Sequence, residues 1–153
     1  MNGLINFSQM NKLSEVTVKA DTNALISLNT LTEARGLTLS PRAAREVAET
    51  RLRAIRENSR LELGMGVTEK LILLFSASRY VEPRDWEELV HILVENFYFV
   101  KSELHDAVSD NELIKFMLTE FEDRCEGSIE LLCDCIEAYV RRFNGCEEED
   151  DCE

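Results

Sequence analysis

The chain has little of what would break a helix or announce a reaction. Six glycines and two prolines in 153 residues leave few punctuation points, so an ordinary globular composition is biased toward helix. The longest uninterrupted apolar run is Leu71 to Phe75, far short of the roughly 20 residues that a membrane span needs. The N-terminus lacks the basic-then-apolar order of a signal peptide, so a cytoplasmic protein with no membrane partner is expected. Positive charge is also scarce: 17 Lys and Arg stand against 30 Asp and Glu, for a net charge of −13, which speaks against broad binding to nucleic acid or anionic membranes. Only two histidines occur, and no nucleophile can be paired with either from the sequence. No catalytic residue, metal set or cofactor motif is therefore assigned.

At this length the chain is one domain, able to bury a core without metal or disulfides. Its charge is lopsided. Residues 1–81 hold 11 Lys and Arg against 8 Asp and Glu, whereas residues 82–153 hold 6 against 22. Apolar spacing of three and four residues recurs along almost the whole chain. Asp21 or Thr22 is expected to cap a helix that stops at Gly36, and Ser40 with Pro41 starts a second one. A third runs from Val67 to about Ser78. Pro83 opens a long central helix to about Val108, Ser109 to Glu112 has the capping-box pattern, and Ser128 caps the last helix before Gly145. The fold class is all-α: a compact single-domain bundle of about six helices, with a short acidic C-terminal tail. Residues 1–20 are expected to be poorly structured or a short helix, 21–145 the helical domain, and 146–153 an acidic, Cys-containing tail.

Arg51 is the residue that the pattern does not accommodate. On a helix from Pro41, the residues Arg42, Arg45, Arg53, Arg56 and Arg60 share a solvated stripe, while Arg51 lies with Ala44, Val47, Ala48, Ala54 and Ile55 on the core side. A guanidinium there must find a carboxylate, a carbonyl or a bound anion. Candidate partners are Glu62 and Glu69, which flank the connector Gly64-Met-Gly66. A glycine-flanked turn entering a helix can aim backbone N–H groups at an anion, so Arg51, Glu62, Gly64, Gly66 and Glu69 form the candidate ligand site. A structural ion pair is the alternative. The stripe of Arg42, Arg45, Arg53 and Arg56 either complements acidic helices of the same molecule or meets a protein partner.

Two other groupings have plainer readings. His91 sits one helical turn from Glu87, Glu88 and Glu95, with His105 further along, on a face expected to be solvated. Phe97-Tyr98-Phe99 reads as core on two sides of the central helix, with Tyr98 near the surface. The five cysteines, Cys125, Cys133, Cys135, Cys146 and Cys152, are odd in number. No two have the two-residue separation of a zinc knuckle, and Cys133 and Cys135 point roughly 200° apart on a helix.

Leu39-Ser40, Glu49-Thr50-Arg51, Arg60-Leu-Glu62-Leu-Gly64-Met-Gly66, Glu69-Lys70, Asp110 to Met117 and Cys125-Glu-Gly-Ser128 resemble the bacterial family catalogued as domain of unknown function 6323, over about residues 39–132. The resemblance implies a small cytosolic bacterial protein and supplies no activity, cofactor or catalytic residue. The leading functional expectation is thus a non-enzymatic module that binds another protein or a second copy of itself. The alternatives are a small-anion or ligand-binding protein, enzyme or not, with a pocket at Arg51, and a metal or redox sensor built on the cysteines.

Overall fold

A computed structural model gives the fold for residues 7–58, 60–62 and 64–150, with side chains described between 12 and 145. The elements are α1 (Phe7–Ser27), a four-residue α2 (Asn29–Thr32), a 3-10 turn (Glu33–Arg35), α3 (Pro41–Glu57), α4 (Gly66–Ser76), a 3-10 turn (Pro83–Asp85), α5 (Trp86–Glu103), α6 (Asp110–Glu122) and α7 (Ile129–Asp150). No strand occurs among the described residues, and the all-α class stands. Three helix starts are where serine chemistry puts them. The Oγ of Ser40 accepts from Ala43 N at 3.1 Å, that of Ser109 from Glu112 N at 3.2 Å, and that of Ser128 from Leu131 N at 3.2 Å. Each satisfies an amide that the first helical turn leaves without a carbonyl.

Several boundaries differ from the sequence expectation. Neither Asp21 nor Thr22 caps a helix: both lie inside α1, which is continuous from Phe7 to Ser27. Hydroxyls along it fold back onto carbonyls four residues earlier, Thr17 onto Leu13 and Thr22 onto Val18. That accommodates polar, β-branched residues within the helix and blurs the apolar period. The single helix expected from Asp21 or Thr22 to Gly36 is broken: α1 ends at Ser27, α2 follows, and the left-handed Gly36 (φ 72°) ends only the 3-10 turn Glu33–Arg35. The central helix is shorter than Pro83 to Val108. It begins at Trp86 and ends at Glu103, where His105 and Asp106 take positive φ values of 50° and 59°. Helix α4 stops at Ser76 rather than Ser78. Finally, α7 passes through Gly145 to Asp150. Gly145 therefore does not end it, and the side chains of Cys146 and Cys152 lie outside those described.

Helix α5 is the centre of the bundle, packing against α3, α4 and α7, while α1 lies on α3, and α6 contacts α4 and α7. Its residues Leu93, Val94, Phe97 and Val100 have no exposed surface. They meet Ala44, Val47, Leu113, Met117, Leu132 and Ile136 in one continuous core. The Phe97–Tyr98–Phe99 run is placed differently from expectation: Tyr98 is 2% exposed and Phe99 43%. Phe143 is likewise half out, at 45%. The turn joining α6 to α7 requires Gly127. Its φ is +85°, and a Cβ there would stand 2.4 Å from the Cβ of Tyr80, closer than any side chain tolerates.

Candidate functional site

Arg51 is buried, its side chain 5% exposed, and it faces Asp21 of α1 and Glu62 of the connector. Its Nη1 donates to Asp21 Oδ2 at 3.1 Å, its Nη2 donates to Glu62 Oε1 at 3.2 Å, and Nη2 also donates to the carbonyl of Gly64. Only Nε lacks a partner. The fork thus pins α3 to α1 and to the chain entering α4. Its three hydrogen-bond partners are all acceptors, and the connector's contribution is the carbonyl of Gly64.

Glu62 gathers further donors. Arg60 Nε lies 2.6 Å from its Oε2, and the Tyr98 hydroxyl lies 2.7 and 2.9 Å from its two oxygens. Arg60 is not on the solvated stripe. It sits past the end of α3, 15% exposed, and its Nη2 reaches both carboxylate oxygens of Asp110 at 2.8 and 2.9 Å. Lys101, buried at 6%, approaches Asp106 at 3.1 Å and Asp110 at 3.0 Å and donates to the carbonyl of Val108. Three cations and four carboxylates are so connected in one network that ties α1, α3, the connector, α5 and the start of α6. Burial and the neighbouring Glu62 charge push the Tyr98 hydroxyl well above its ordinary pKa, so it remains a donor. At Asp21, burial outweighs the attraction of Arg51 and raises the carboxyl. Burial also opposes ionisation of Asp110, but hydrogen bonds from Lys101 and Arg60 prevail and lower it.

The residues predicted to share the site are only partly brought together. Arg51, Glu62 and Gly64 meet. Glu69 makes no ion pair with Arg51, whose second carboxylate is Asp21. Gly66 opens α4 with open space around it. Arg42, Arg45, Arg53 and Arg56 are exposed as predicted, yet two are occupied: Arg42 by Glu46, and Arg45 by Glu15 and Glu49. The sequence reading missed Asp21, Tyr98, Lys101 and Asp110. For Lys101 the signal existed, because it continues the buried spacing of Val94, Phe97 and Tyr98, as Arg51 does on α3.

His91 Nε2 lies 2.7 Å from Glu95 Oε1 and 3.3 Å from Thr50 Oγ1. Both contacts use the same nitrogen. A relay needs one ring nitrogen on the nucleophile and the other on the acid, so this trio is not a catalytic triad. It lies in a seam instead. Clefts of about 590, 310 and 370 Å³ follow one another between α3 and α5, from Ser40 and Glu87 at one end to Asn58, Lys101 and Asp106 at the other. The first two are walled by Arg42 and Arg53 against Glu46, Glu57, Glu87, Glu88, Glu95 and Glu103, all exposed. Ala43, Ala54, Ile92 and Phe99 supply the apolar surface between them.

Two cysteines that the sequence did not pair are in contact: Cys125 Sγ and Cys135 Sγ are 3.7 Å apart. Cys133 turns elsewhere, taking a hydrogen bond from Asn96 Nδ2 at 3.4 Å. Among the described residues no three His, Cys, Asp or Glu side chains are grouped to hold a metal, and no helix is long and apolar enough to cross a membrane.

A helical bundle pinned by a buried ionic network, with a glutamate-walled groove on its surface, is the class that this geometry defines. The chain belongs to the family of unknown function DUF6323, whose match spans residues 24–148, wider at both ends than the motifs suggested. No curated protein and no solved structure matches it.

Proposed function

We propose that this protein is a non-enzymatic binding module whose α3–α5 groove receives a basic, amphipathic helical segment of another protein. The observation that carries the reading is the wall composition of that groove, two arginines facing six exposed glutamates. With α3 17 residues long, the groove extends about 25 Å, enough for several turns of a partner helix. Exposed Phe99 with Ile92 offers its apolar stripe an anchor, and the glutamates offer its cationic flank pairs and repel an acidic one. This moves the weight of recognition from the arginine stripe, half of which is neutralised within the chain, to the opposite sign of charge.

The Arg51 site does not favour the small-anion reading, because three acceptors already occupy its fork. The test is fluorescence anisotropy with two designed helical peptides that share an apolar face, one carrying Lys and Arg and the other Asp and Glu. The basic peptide is expected to bind and to weaken with added salt. Glu88→Lys with Glu103→Lys should abolish that binding. Equal affinity for both peptides, or binding untouched by the double reversal, would overturn the groove assignment.

A further inference from the structure

The contact between Cys125 and Cys135 lies at the far side of the bundle, where α6 turns into α7, and is independent of the groove. Cys125 is 2% exposed. Cys135 is half-buried and lines a cleft of about 440 Å³, together with Arg124, Leu131, Asp134, Ala138 and Arg142. One thiol therefore faces solvent through a shaped opening and the other waits behind it. Two guanidiniums and one carboxylate line the opening. Arg124 is engaged only by Glu120, at 3.5 Å, and Arg142 makes no ion pair among the described residues.

We propose that Cys125 and Cys135 form a thiol–disulfide exchange site whose substrate is a small, anionic low-molecular-weight disulfide. In the first step the Cys135 thiolate attacks one sulfur of the disulfide RSSR, forming a mixed disulfide on Cys135 and releasing RS⁻. In the second, Cys125 gives its proton to solvent and its sulfur attacks Cys135 Sγ, closing Cys125–Cys135 and expelling the second RS⁻. Two protein thiols are oxidised, one external disulfide is reduced to two thiols, and no other oxidant is needed. The order follows from access and protonation. Burial first, and then the adjacent Cys135, push the Cys125 thiol up to about 12, so at neutral pH it does not attack first. Once Cys135 is in the mixed disulfide, its own contribution to that shift disappears, and Cys125 becomes easier to ionise just when it must act. The preference for an anionic disulfide follows from Arg142, which makes no ion pair among the described residues and can hold a carboxylate with Arg124 beside it, while Leu131 and Ala138 cover the chain.

The test uses the full chain, glutathione disulfide as the anionic probe and bis(2-hydroxyethyl) disulfide as the neutral one, with peptide mapping by mass spectrometry. Wild type should acquire a Cys125–Cys135 link. Cys125→Ala should stop at a stable glutathione adduct on Cys135, and Cys135→Ala should show neither link nor adduct at Cys125. Arg124→Glu with Arg142→Glu should slow the reaction with glutathione disulfide on the order of tenfold, while changing the neutral probe's rate less than twofold. If Cys125→Ala does not fold, mapping of wild type still decides. A reduced Cys135 after exposure, or a link joining Cys135 to any cysteine other than Cys125, would overturn the site. Equal slowing of both probes would overturn the anionic substrate.

Discussion

Arg51 is held by three acceptors, and its role follows from what its loss would expose. Arg51→Met keeps the length of the side chain but leaves Asp21 with no cation among the described residues, since Glu62 retains Arg60 and Tyr98 while no second donor to Asp21 is found there. Breaking a buried pair from one side costs about 3 to 5 kcal/mol, and urea denaturation is expected to show a loss of that size. Adding Asp21→Leu should recover a large part of it, because the orphaned charge goes too. A mutant as stable as wild type would show that the network does not hold the fold. The two carboxyls of the network with resolved shifts respond to acid in opposite directions. Asp110 lies below its ordinary value of 3.8, so the stability that it contributes is present above that pH and is lost as pH falls through its lower folded value. Asp21 lies above 3.8; its ionised form costs stability at neutral pH, and protonation relieves that cost on acidification. Asp110→Asn should accordingly make the stability–pH curve shallower below about pH 4 and Asp21→Asn should make the acid loss steeper, as followed by thermal melts at successive pH values.

At the scale of elements, serine caps and glycine stops were legible, and the places where they were misread have physical causes. Ser40, Ser109 and Ser128 open helices as their chemistry dictates. Ser40→Ala and Ser109→Ala should each cost about 1 kcal/mol, measured by the shift in urea midpoint at unchanged slope. A cap signal is local, however, and Asp21 carries the same signal for a different reason. Its carboxylate is in α1 to reach Arg51 across 30 positions of sequence, a tertiary demand that no spacing within α1 reveals. Arg60 shares the helical stripe only if α3 extends to it; the helix ends at Glu57, and the residue swings into the ionic network. Gly145 was read as a stop, but lies inside α7 where nothing approaches it, and a glycine in an exposed helix merely weakens it. Tyr98 and Phe99 exchanged burial because the central helix turns its polar-tipped ring toward Glu62, a preference that hydropathy alone cannot express. Arg51 itself was legible because one charge among Ala44, Val47 and Ala48 is conspicuous at helical spacing.

At the scale of the molecule, the lopsided charge resolves into an arrangement. The more basic first half uses its arginines internally: Arg51 and Arg60 in the network, Arg42 and Arg45 in pairs along α1 and α3. The acidic half keeps Glu87, Glu88, Glu95 and Glu103 of α5 at the surface, beside Glu46 and Glu57 of α3. Six exposed glutamates thus line one groove against two arginines, a local excess of negative charge that favours a cationic partner. The helices that form the groove are joined at both ends, by Ser40 N donating to Glu87 at 2.8 Å and by the Arg60–Lys101–Asp110 cluster. A preformed site loses less conformational entropy on binding than a loop would. The most direct measurement is hydrogen exchange, read by mass spectrometry, on the full chain with and without the basic helical peptide. Slowed exchange confined to 40–58 and 86–103 is the predicted footprint. Protection centred on α6 and α7, or none along the α3–α5 seam at saturating peptide, would contradict the account.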